Sequence, residues 1–120
     1  VLDASAALAW LQGEVGAGVV APLLDGAVIA APNLAEVLTK VLAAGVDTGE
    51  ATAALVGMGV SVEPFTAADA LGAARWWTVE PSLSLGDRAC LAVAGRLNGR
   101  AVTADTLWGD LPDAEVLLIR

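Results

Sequence analysis

The chain has 120 residues, 57% of them hydrophobic and 17% charged, with fourteen acids against six bases for a net charge of −8. That length suits one domain over residues 1–120 with a core of its own, and the single cysteine, Cys90, excludes an internal disulfide framework. Histidine is absent, which excludes a histidine metal ligand, general base or pH switch.

"VLD" at 1–3 reads as the end of a first strand, short enough that residues are expected ahead of Val1. "SAALAWL" at 5–11 follows as a short apolar helix, and "GAGVVAPLLDG" at 16–26 as a helical piece interrupted by Pro22. "AVIAAP" at 27–32 is strand-like, with Pro32 as its stop. "NLAEVLTKVLAAG" at 33–45 predicts a helix: Asn33 is placed to cap, Glu36 sits three residues on, and Gly45 ends it. A helix over 47–59, a strand over 60–65 and a helix over 66–77 with Thr66 and Asp69 at its start come next. After a loop at 78–84, "SLSLGDRACLAVAG" predicts a buried helix ending near "LNGR" at 97–100, and "AVT" at 101–103 and "VLLI" at 116–119 complete the strands. Short strands alternating with helices indicate an α/β domain with a mostly parallel central sheet.

No run of about 18 uncharged apolar residues indicates a spanning helix. The first residues lack the basic start and apolar run of a signal peptide. A cytoplasmic protein is expected, without membrane contact. The mean hydropathy of +0.70 is high, and the excess apolar surface is expected to meet a partner chain. The negative charge opposes nucleic-acid binding on its face. The objection weakens if acids gather around divalent cations, which reverse the local sign.

Four acids stand in unusual places. Asp3 closes the first strand and Asp105 follows "AVT", so both lie at carboxyl ends of strands, where open α/β sheets bind ligands. Glu36 and Asp87 lie in the first turns of two helices. At about 100° per residue, Asp87 shares a face with Cys90, Leu91 and Ala94, and an ionised carboxylate on an apolar stripe is costly unless paired or bound to a cation. Four carboxylates in one pocket raise each other's pKa values. A hard divalent cation removes both penalties, and oxygen-only ligands favour Mg²⁺ or Mn²⁺ over zinc. The matching chemistry is phosphodiester hydrolysis by an activated water, which requires no histidine and no protein nucleophile.

Each acid also has an ordinary structural role open to it. Glu36 can complete a capping box with Asn33, Asp87 one with Ser84, and Asp3 can cap the helix after it. Asp105 can be a turn residue, and Asp110 can turn back toward the cleft as an outer ligand. Ser5, Thr103 and Asn33 are placed to hydrogen-bond a ligating carboxylate. Arg88 is a candidate contact for RNA phosphate, or a restraint on Asp87. Adjacent Trp76 and Trp77 cannot both face the core of one helix.

"VLDASAALAWL", "NLAEV", "LSLGDRACLAVA" and "VTADTLW" resemble, in order, the four motif regions of PIN-domain ribonucleases, in particular the VapC toxins of type II toxin–antitoxin pairs. The resemblance implies a three-layer α/β/α sandwich and a pocket for Mg²⁺ or Mn²⁺. Asp3, Glu36, Asp87 and Asp105 match the acidic quartet that ligates metal and carries catalysis. Ser5, Asn33 and Thr103 match polar positions behind it. Cleavage of RNA at specific sites, a homodimer, and silencing by a cognate VapB-type antitoxin are likewise implied, with Arg88 a contact for RNA or antitoxin. An RNA path is left few bases: Arg75, Arg88, Arg96 or Arg100. The alternative is a non-catalytic PIN-like module that binds protein or RNA. A phosphoacceptor receiver domain fits poorly, because its late-strand lysine is missing: the only lysine, Lys40, falls within a predicted helix.

Overall fold

The computed structural model describes all 120 residues. Its helices are α1 (Ala4–Gln12), α2 (Ala17–Val20), α3 (Ala31–Ala43), α4 (Thr48–Gly57), α5 (Ala67–Val79) and α6 (Leu85–Arg96). Its strands are β1 (Val28–Ala30), β2 (Ser61–Glu63), β3 (Ala101–Thr103) and β4 (Val116–Leu118), with 3₁₀ turns at Ala21–Leu23 and Thr106–Asp110.

β1 pairs with β2 and β3 with β4, both in parallel. Leu2 alone joins the two pairs, bridging in parallel to Ile29 on one side and Val102 on the other. The first strand is thus reduced to one bridging residue, and the order across the sheet is β2, β1, Leu2, β3, β4. Backbone bonds fix that junction: Leu2 N donates to Val28 O at 2.8 Å, Val102 N to Val1 O at 2.8 Å, and Asp3 N to Val102 O at 2.9 Å.

The period-2 alternation of strands sorts the core onto the two sheet faces. Leu2, Ile29 and Val102 stand in register and pack with Ala7, Leu8, Val20, Leu24, Val37 and Leu55. Val1, Ala101 and Val116 point the other way and join Cys90, Leu91, Ala94, Trp76 and Trp108. Adjacent Trp77 cannot reach that cluster and is 55% exposed.

Two local expectations change. Pro32 does not end the strand, which stops at Ala30. It sits in the first turn of α3, where its missing N–H costs nothing. The helix therefore starts two residues before Asn33, with Ala30 at the cap position and no side-chain cap bond. Asn33 becomes a fully buried helical residue instead of a cap.

Leu2 is fully buried at the centre of the sheet, and truncating it removes the apolar link between both halves. Leu2→Ala should destabilise the protein by about 3–5 kcal/mol in urea unfolding; a loss below about 1 kcal/mol would show that the sheet does not depend on this residue.

Candidate functional site

Because all strands run parallel, the residues after Leu2, β1 and β3 gather at one edge of the sheet. Asp3 emerges there and caps α1. Its Oδ2 accepts from Ser5 Oγ at 2.7 Å, Ser5 N at 3.3 Å and Thr103 Oγ1 at 3.0 Å, and its Oδ1 from Asn33 Nδ2 at 3.4 Å. Each hydroxyl has one proton. Ser5 and Thr103 both direct theirs to Asp3, and accept from Ala104 N at 2.9 Å and Asp105 N at 3.1 Å. Their mutual 3.2 Å contact is then left without a proton. The two hydroxyls thereby tie the Asp3 carboxylate to the chain leaving β3.

Asn33 closes the opposite side. Its Nδ2 donates to Gly86 O at 3.0 Å as well as to Asp3. A flipped amide would set three acceptors against each other, so the orientation is forced. Its buried Oδ1 has no partner. With Asn33 engaged this way, Glu36 forms no capping box and is left to face Gly86 and the other acids. A Cβ at position 86 would stand 2.9 Å from Glu36 Oε2. Glycine early in a helix has a conformational cost, and here it admits the carboxylate. Sequence reasoning missed Gly86; a glycine one residue before a candidate acid was the available signal.

Asp87 does form a capping box: Ser84 N donates to its Oδ2 at 2.7 Å, and its own N–H donates to Ser84 Oγ at 3.1 Å. Asp105 Oδ1 accepts from Leu107 N at 3.0 Å, capping the 3₁₀ turn. The ordinary structural roles of Asp3, Asp87 and Asp105 are therefore real, and they orient the side chains without exhausting them. Asp87 Oδ1 and Asp105 Oδ2 accept no hydrogen bond, and Glu36 makes only a 3.9 Å contact from Oε1 to Lys40 Nζ.

The acids feel each other. Burial raises the Glu36 carboxyl above its ordinary value, Asp3 and Asp87 raise it further, and Lys40 partly offsets them. Burial raises Asp87, hydrogen bonds from Ser84 oppose the rise, and Asp3 and Asp105 add to it. Cys90, one turn below Asp87, is pushed well up by burial and then by Asp3, so it stays a thiol and offers no thiolate to a metal or substrate. No three of the carboxylates approach closely enough to enclose an ion directly. Oxygen-only donors spread over four segments nevertheless suit a cation that keeps most of its waters, as Mg²⁺ does.

The other polar candidates lie apart. Arg88 makes no ion pair with Asp87; its Nη1 donates to Ala73 O on α5 at 3.4 Å, and its buried Nε lacks a partner. Arg96 is held by Asp69 at 2.7 Å, Glu63 at 3.0 Å and Pro64 O at 3.2 Å, so it is not free for an RNA path. Asp69 forms the expected capping box with Thr66. Asp110 is exposed. A groove of about 670 Å³ between α5, α6 and residues 112–115 contains none of the four acids.

Glu36 and Asp87 keep protons in the folded chain above their ordinary values of 4.5 and 3.8, where the unfolded chain has released them. The folded state then binds more protons, so its stability falls as pH rises through that window. Asp69 acts in the opposite sense: its bond to Arg96 holds the carboxyl below 3.8, and its contribution is lost only as pH falls through that lower value. The urea midpoint of the metal-free protein should therefore decline from about pH 4 upward. Asp87→Asn keeps the cap through its amide oxygen, and should shrink the decline and raise the midpoint at neutral pH. A wild-type midpoint that climbs across this interval contradicts the account.

Comparison with known proteins agrees with this architecture. A family model described as "PIN domain" matches residues 1–113. A solved structure described as "Toxin-antitoxin complex from Klebsiella pneumoniae" is similar with a TM-score of 0.80 over 99% of this chain and 96% of that one, at 16% identity. None of the curated proteins matches. With nearly its whole length matched by the family model, and with α/β architecture and parallel strands, the chain belongs to the PIN-domain family.

Proposed function

We propose that this chain is a metal-dependent endoribonuclease toxin that hydrolyses RNA phosphodiester bonds. The observation that carries the reading is the convergence of Asp3, Glu36, Asp87 and Asp105 at one sheet edge: Asn33 joins Asp3 to Gly86, Gly86 lies against Glu36 and directly precedes Asp87, and Thr103 joins Asp3 to the Asp105 N–H. Membership of a family of nucleases supports it, as does likeness in fold to a protein from a toxin–antitoxin complex.

Glu36, Asp87 and Asp105 would hold Mg²⁺ or Mn²⁺ through oxygens that accept no hydrogen bond, and Asp3 through Oδ1, whose one contact is the long 3.4 Å bond from Asn33. When bound, the ion supplies water activation and charge stabilisation at the leaving oxygen. The chain's own part is orientation. Ser5 and Thr103 fix one oxygen of Asp3 and leave the other toward Asn33. Ser84 fixes one oxygen of Asp87 and leaves the other free. Asn33 sets the spacing between Asp3 and the start of α6.

The reading extends to one domain over residues 1–120, layered as an α/β/α sandwich, acting in the cytoplasm. No single helix is long and apolar enough to cross a membrane. Exposed apolar side chains such as Val15, Leu42, Val56 and Leu71 are assigned to a homodimer interface and to a cognate VapB-type antitoxin. Arg88 Nη2 makes no hydrogen bond and is a contact for RNA or the antitoxin.

Asp87→Asn should lower Mn²⁺-dependent RNA cleavage by at least about a hundredfold while circular dichroism shows the fold retained. Full cleavage by this variant would remove the acids from the mechanism. Absence of Mn²⁺ binding in calorimetry would favour the non-catalytic binding module instead.

A further inference from the structure

We propose that Lys40 is the chain's phosphate anchor for RNA beside the acidic site. The inference rests on the nuclease reading and deepens it, because it says how so acidic a protein holds a polyanion. Of the six basic side chains, Arg96 is held by Asp69 and Glu63, and Arg120 by Glu14 at 3.7 Å and the Val15 carbonyl at 3.2 Å. Arg88 turns to the Ala73 carbonyl on α5. Arg75 lines the groove between α5 and α6, away from the acids. Arg100 precedes β3, and so lies at the sheet edge opposite Asp105.

Lys40 alone contacts one of the four acids through an ion pair. It follows Glu36 by four residues on α3, so the two share a face one turn apart, and helical side chains lean back toward the amino end. That lean carries Nζ to 3.9 Å from Glu36 Oε1, with the lysine side chain 57% exposed. An exposed pair of this spacing adds little to stability. Its charge lies beside a cluster that otherwise repels a phosphodiester, and it stays accessible to solvent. A strand entering the acids would set a neighbouring phosphate against this ammonium. With this one anchor beside the acids, and at most the Nη2 of Arg88 in addition, RNA binding should depend only weakly on salt.

The test is binding of a random-sequence single-stranded RNA pool by fluorescence anisotropy with Mn²⁺ present, between about 50 and 200 mM salt. Lys40→Gln should weaken binding about fivefold and reduce the slope of log affinity against log salt by about 0.7. Lys40→Arg should restore both. Mn²⁺ affinity in Lys40→Gln, read by calorimetry, should be equal or higher, because the lysine donates no ligand and its charge opposes a cation. Arg100→Gln, at the far edge, should match the wild type. Unchanged affinity and slope in Lys40→Gln, with the wild type binding both RNA and Mn²⁺, would overturn the inference and leave the nuclease reading standing. A wild type that binds neither RNA nor Mn²⁺ would overturn both.

Discussion

Leu2 and Asp3 together hold the fold and the site in one two-residue segment. Leu2 bridges β1 and β3 and so makes one sheet from two parallel pairs. The next residue leaves the sheet, caps α1 and gathers hydrogen bonds from Ser5, Asn33 and Thr103. The central position of the sheet junction thereby becomes the central position of the acidic site. Each crossover between parallel strands carries the chain back to the amino edge, so every strand ends at the same carboxyl edge, and that brings the start of α3 and the end of β3 beside Asp3.

The crowding of acids is an electrostatic cost that the fold accepts locally. Helix capping holds Asp87 and Asp105, hydroxyl and amide donors hold Asp3, and the absent side chain of Gly86 makes room for Glu36. None of these devices removes the mutual repulsion felt by Glu36 and Asp87. Elsewhere the same fold neutralises its charges: buried Asp69 is matched by Arg96, which also takes Glu63. The contrast between a neutralised cluster and an unneutralised one is the physical basis for assigning function to the second.

Much of this was legible in the sequence. Helical periodicity and cap residues located α3 to α6 to within a few residues, and the order of strands and helices gave a parallel sheet. The four acids could be grouped as candidates because strand ends and helix starts meet at one edge in such a sheet. What was not legible depended on tertiary geometry. Pro32 is compatible with either a strand stop or a helix start, and only the packing of α3 decides, which also turns Asn33 from cap to buried bridge. Arg96 looked available until β2 and α5 brought Glu63 and Asp69 to it. Lys40, the only lysine, was legible simply as a residue of a predicted helix, and its contact with Glu36 emerges only once Glu36 is seen to form no capping box.

The central claim is that the four carboxylates form one pocket whose repulsion is relieved by a divalent cation. Urea unfolding of the wild type with and without Mn²⁺ tests it most directly. A ligand that binds only the folded state raises stability by mass action. The account predicts a midpoint that rises with Mn²⁺ at neutral pH and much less near pH 4 (about the ordinary carboxylate range), where Glu36 and Asp87, both raised above their ordinary values, hold protons. A midpoint indifferent to Mn²⁺ at neutral pH would contradict it.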